Sequence, residues 1–172
     1  MSASLKDTVA SWLDALPCQY QEMDDDNVDW RFEIRYPARR PDHVMHVAGV
    51  PGPADSIVIV SVTRLSDRHR QRYEALPDDE KRVFLFGMRH TLNRPEVDFE
   101  LRGPGGLDCP EAFQVSVRRF WDGLTLDSFA YSLGAVYKAE LSAIWFIQES
   151  LDQDPSTPPI FFDFEGAEIP EA

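Results

Sequence analysis

Apolar and polar residues alternate strictly from Asp29 to Tyr36, with Trp30, Phe32, Ile34 and Tyr36 on one side and Asp29, Arg31, Glu33 and Arg35 on the other. A period of two marks a strand with one buried and one wetted face. The same alternation recurs twice downstream. Val97, Phe99 and Leu101 interleave with Asp98, Glu100 and Arg102, and a strand from Phe113 to Trp121 sets Phe113, Val115 and Val117 against Gln114, Ser116 and Arg118. Between the turn bracketed by Pro37 and Pro41 and the break at Pro51-Gly52-Pro53, residues His43 to Val50 read as a further strand. Ile57 to Arg64 departs from the pattern: Ile57 and Ile59 face one way while Val58, Val60 and Val62 face the other, so both sides are apolar. The segment from Met23 to Asp29, with four aspartates and no hydrophobic period, reads as a solvated turn.

Helical spacing takes over elsewhere. Ser4 followed by Asp7 is a variant capping box ahead of Leu5, Val9, Trp12, Leu13 and Leu16, and Pro17 closes that helix. Ser66 caps a helical stretch to Leu76, and Pro77 opens a second helical segment to about Arg94 whose Val83, Phe84, Met88 and Leu92 form a core-facing stripe. The longest helix runs from near Thr125 to about Leu151, carrying Phe129, Leu133, Val136, Leu141, Ile144, Trp145 and Gln148. With the middle stretch counted once, the order is α-β-β-β-α-β-β-α. It predicts an α+β domain: an antiparallel sheet of about five strands with three helical elements on one face.

That domain spans residues 1–151. Residues 152–172 form a second region, an acidic, proline-containing tail with six acidic and no basic residues. The Ile160-Phe161-Phe162 and Phe164 group is too apolar for a tail serving solubility alone and is expected to dock on the domain or on a partner. No internal repeat of fixed period is present.

Composition narrows the partners. Lys+Arg total 17 against 30 Asp+Glu, a formal net charge of -13, so most of the surface repels a phosphate backbone and nucleic acid is an unlikely partner. No run is long and apolar enough for a membrane span, and Met1 to Ala10 lacks the features of a signal peptide, so a cytoplasmic location is expected. Cys18 and Cys109 fit no metal spacing and are expected to be reduced. Only Lys6, Lys81 and Lys138 are lysines, a bias that fits a salt-rich cytoplasm or a GC-rich genome equally well.

The chemistry-bearing residues form no catalytic motif. His43 and His46, three apart on a strand, point to opposite faces and cannot share an ion. His69 and His90 have no ligand pair, and Gly103-Pro104-Gly105-Gly106 is a hairpin turn with no Gly-Lys-Ser/Thr after it. The sequence therefore assigns no catalytic residue, cofactor or metal site. A pocket between sheet and helices, using Arg118, His46 or Tyr137, is the enzymatic or ligand-binding alternative. Arg64, Arg68 and Arg72, spaced by four, share a face that attracts acidic segments, this chain's own tail included. They also carry a second alternative, a nucleic-acid-associated regulator.

The element order over residues 4–151, together with Tyr131 to Leu151 and its Ala143-Ile144-Trp145-Phe146-Ile147-Gln148 core, resembles the type III secretion chaperones, the YbjN-like proteins and related small prokaryotic families of unknown function. The resemblance implies a small, acidic, dimeric protein that binds other polypeptides without catalysis. The expected function is thus a chaperone- or adaptor-like module, a homodimer with another polypeptide as partner. Its partner-binding candidates are Val58, Val60 and Val62, Phe161, Phe162 and Phe164, and Arg64, Arg68 and Arg72. The valine row needs a cover. A second subunit, a bound polypeptide, the tail or burial within the sheet would each supply one.

Overall fold

A computed structural model describes residues 4–40, 43–50, 55–103 and 110–152. Helix α1, Leu5–Ala15, begins where the Ser4 hydroxyl accepts the Asp7 backbone N–H at 3.1 Å. Strands β1 (Gln19–Met23), β2 (Trp30–Arg35), β3 (Val44–Val50) and β4 (Ser56–Arg64) follow. Helices α2 (Asp67–Ala75) and α3 (Asp78–Leu92), strands β5 (Asp98–Arg102) and β6 (Ala112–Phe120), a 3-10 turn at Trp121–Gly123 and helix α4 (Leu126–Leu151) complete the elements of the described residues. Every pairing is antiparallel, in the order β1-β2-β3-β4-β6-β5.

The α+β class holds, with two corrections to the element count. The sheet has six strands, because Gln19–Met23 forms an edge strand just before the segment read as a turn. Its residues show no apolar alternation; an edge strand is held by backbone hydrogen bonds to one neighbour and needs no two-sided hydrophobic pattern. The described residues form four helices, because the chain breaks at Leu76 and Pro77 and the segments after Ser66 and Pro77 are separate helices. The called hairpin at Gly103 to Cys109 falls largely outside the described residues, although Arg102 faces Ala112 on the strands it joins.

All four helices contribute to one face of the sheet. From the strands that face presents Phe32, Ile34, Met45, Val47, Ile57, Ile59, Phe113, Val115 and Val117; the helices meet it with Val9, Leu13, Met88, Leu92, Phe129, Leu133 and Val136, all buried. Each fully buried Leu, Ile or Phe contributes roughly 1.5–3 kcal/mol. Helix α3 lies close against α4 because Gly87 has no side chain: a Cβ there would come 2.5 Å from the Phe146 ring. The Thr125 hydroxyl accepts the Ser128 N–H while Ser128 returns a bond to the Thr125 N–H, a reciprocal cap that fixes where α4 begins.

Candidate binding surface

The register places the other face of the sheet row by row. Val58 stands between Ala48 and Arg118, Val60 between His46 and Ser116, and Val62 across from Gln114. Outside these lie Arg31, Glu33 and Arg35 on β2, and Asp98, Glu100 and Arg102 on β5. Among the described residues no helix covers this face. Val58 and Val60 are half-buried by their neighbours in the sheet, whereas Val62 is 45% exposed. The doubly apolar third strand of the sequence is therefore β4, interior to the sheet, with Ile57 and Ile59 in the core and the valine row on the open side.

The charge of this face differs from that of the chain. Arg31, Arg35, Arg64, Arg102 and Arg118 oppose Glu33, Asp98 and Glu100 on the strands, five cations against three anions, in a chain of net charge -13. Arg31 pairs with Asp25 at 2.8 Å and Arg102 with Glu100 at 2.9 Å. Arg64 and Arg118 flank the valine row at opposite ends, both exposed.

Arg68 and Arg72 do not join that face. Together with His69 they converge from α2 on Asp152, at 3.4, 2.7 and 3.1 Å respectively. Arg72 also donates to the Leu151 carbonyl at the last turn of α4, satisfying a carbonyl that the helix end leaves unpaired. Burial pushes the Asp152 carboxyl up, but the His69 hydrogen bond and the charges of Arg68 and Arg72 outweigh it and hold the carboxyl below its ordinary range. The arginine cluster thus grips the first residue of the acidic tail, four residues along the chain from Arg64. Phe161, Phe162 and Phe164 lie outside the described residues.

The residues named for a pocket do not converge. Arg118 and His46 stand on the open face, while Tyr137 is on α4, its ring edge-on to His43 with centroids 4.9 Å apart. The sheet separates them. A shallow depression lies at the β1–β2 edge, among Gln19, Tyr20, Gln21, Glu33 and Arg35.

On the helix side, sequence reasoning missed a polar cluster. Glu140 of α4, 4% exposed, accepts hydrogen bonds from His43 Nε2 and from the Thr63 hydroxyl. His43 Nδ1 lies 2.5 Å from the Tyr36 carbonyl. Both ring nitrogens face acceptors, an arrangement that favours the protonated ring. Burial pushes the His43 pKa down, but Glu140 and the Tyr36 carbonyl outweigh it and the net shift is upward. Burial likewise pushes Glu140 up, yet His43 and the Thr63 and Ser61 hydroxyls carry it below the ordinary value. The cluster ties β3, β4 and α4 together. The signal was an acid on the buried stripe of α4, four residues after Val136 and three before Ala143.

Comparison with known proteins adds kinship without an activity. The family described as "Uncharacterized conserved protein (DUF2299)" matches residues 5–147. A solved structure, "Crystal structure of an uncharacterized protein from Methanothermobacter thermautotrophicus", superposes with a TM-score of 0.75 at 31% identity, covering 85% of this chain and 98% of that one. No curated protein matches. No helix of the described residues is long and apolar enough to cross a membrane.

Proposed function

We propose that this chain, which belongs to the DUF2299 family of conserved proteins, is a non-enzymatic, chaperone- or adaptor-like module that binds an extended polypeptide on the open face of its sheet. One observation carries the reading: the valine row of β4 crosses a face that no helix of the described residues covers and whose strand arginines outnumber its strand carboxylates, in an otherwise acidic molecule. Apolar contact supplies the affinity and the arginines select acidic over basic segments. The resemblance to secretion chaperones and YbjN-like proteins, drawn from the element order expected from sequence, favours the same reading and a cytoplasmic homodimer, while the described sheet has one strand more than that order. Val83 and Phe86 of α3, 71% and 73% exposed, are the apolar side chains such a second copy would cover. Light scattering that returns the 19.7 kDa of a single chain at all concentrations would overturn the dimer.

The binding test uses fluorescence anisotropy with short labelled peptides that alternate Phe or Ile with Asp or Glu, and matched peptides with Lys in place of the acids. The acidic set binds, weakens as salt is raised, and is lost on Val60→Asp. Equal binding of both sets, binding of neither, or indifference to Val60→Asp would overturn the reading.

A further inference from the structure

We propose that the chain's own acidic tail, through Ile160 to Phe164, folds back over the valine row of β4 and covers the open face in cis. The inference rests in part on the reading of that face as a polypeptide-binding surface and names its resident occupant. Three independent observations meet here. The first is where the tail starts. Asp152 is clamped by Arg68, His69 and Arg72 of α2, and only Leu65 and Ser66 separate the end of β4 from the start of α2. The tail therefore leaves the domain beside the end of the sheet at which Val62 and Arg64 lie on the open side.

The second observation is reach. Ile160 lies eight residue steps beyond Asp152, and extended chain advances about 3.3 Å per residue, so roughly 26 Å is available. Val58 to Val62 covers only about 13 Å of strand. Pro155, Pro158 and Pro159 fall within that spacer, and proline-rich segments favour extended over compact conformations. The third is complementarity. The tail carries six acidic and no basic residues, and Asp163 and Glu165 bracket Phe164 within the apolar group, while Arg64 and Arg118 flank the valines and make no ion pair among the described residues. Val62 is the most exposed side chain of the row, and the tail carries the apolar groups to cover it.

The test uses the full chain with labelled valine methyls and a soluble paramagnetic probe. In the native chain the Val58, Val60 and Val62 methyls are shielded. In the full chain carrying Phe161→Ser, Phe162→Ser and Phe164→Ser together they broaden severalfold more, while core Val47, Val115 and Val117 report that the fold is intact. Equal broadening in the two chains overturns the proposal. Shielding that disappears on dilution also overturns it, because the tail would then lie on a second copy. A face covered nine-tenths of the time binds the acidic peptides about tenfold more weakly than an open one, so the triple variant gains that factor. If the methyls respond but no peptide binds either chain, the peptide-binding reading fails and the tail's docking stands. If peptides bind both chains alike and the methyls do not respond, the reverse holds.

Discussion

Replacing Glu140 by alanine is expected to cost more than any other single change at the polar cluster. The carboxylate is 5% exposed in its side chain and its His43 partner 12%, so water cannot take over either charge. Removing the anion strands an imidazolium beneath Tyr137 and deprives the Thr63 hydroxyl of its acceptor. Breaking one side of such a buried pair costs about 3–5 kcal/mol. Glu140→Gln keeps the volume and one acceptor oxygen, which reduces the loss to about 2 kcal/mol. Leucine at both His43 and Glu140 removes the two charges together and is less damaging than Glu140→Ala, since buried pairs replaced by apolar groups of similar size are often nearly neutral. Urea unfolding of the native chain, His43→Leu, Glu140→Leu and the double leucine variant gives the coupling directly. A cost for Glu140→Ala below about 1 kcal/mol, or a double whose cost is the sum of the singles, would refute the ion-pair account.

The same pair sets a pH signature. His43 is raised from its ordinary 6.5, so its stabilisation is complete below 6.5 and is lost as pH rises through the folded-state value. Glu140 is lowered from 4.5, so its stabilisation is complete above 4.5 and is lost as pH falls through its folded-state value. Arg40 opposes the histidine shift without reversing it. The difference in unfolding free energy between native chain and double leucine variant therefore reaches its plateau between pH 4.5 and 6.5 and declines on both sides. A flat difference across that range and beyond would contradict the assignment.

Two other outcomes follow from packing and capping. Gly87→Ala puts a Cβ 2.5 Å from the Phe146 ring; the overpacking costs about 1–3 kcal/mol and outweighs alanine's better helix propensity of about 1 kcal/mol, and Phe146→Leu in the same chain restores part of the loss in thermal unfolding. Arg72→Ala leaves the Leu151 carbonyl without its donor and weakens the hold on Asp152, so hydrogen exchange in the last turn of α4 quickens while the middle of the helix is unchanged.

What the sequence disclosed follows from which interactions are local. The strands with a clean period of two, such as Trp30 to Arg35, and the capped helices at Ser4 and Thr125 were legible because burial and capping act within a few residues. Strand β1 was hidden because its only partner is β2 and its pairing is carried by the backbone, to which side-chain pattern is blind. Glu140 was hidden for the opposite reason. Its partners His43 and Thr63 lie 97 and 77 residues away in sequence, and a lone carboxylate on an apolar stripe says that a partner exists without saying which. The two histidines show both sides of this: their opposite directions were readable from spacing, and His43 does turn to Glu140 while His46 lies beside Arg31 on the open face, 3.3 Å from its Nε.

The candidate surface is legible only in the combination of strand and topology. A doubly apolar strand can be buried on both faces or can leave one face to be covered, and sequence alone does not choose between them. Once β4 is placed between β3 and β6 with every helix on the Ile57 and Ile59 side, the valines need a cover that the described domain does not supply. The arginines spaced by four then divide by position. Arg64, the last residue of β4, stays with the open face, and Arg68 and Arg72, one and two turns later, hold the start of the acidic tail. A single run of sequence thus joins the surface to the segment that leaves beside it. That continuity makes the tail the first occupant to test, ahead of any partner in trans, because a tethered segment competes at high effective concentration.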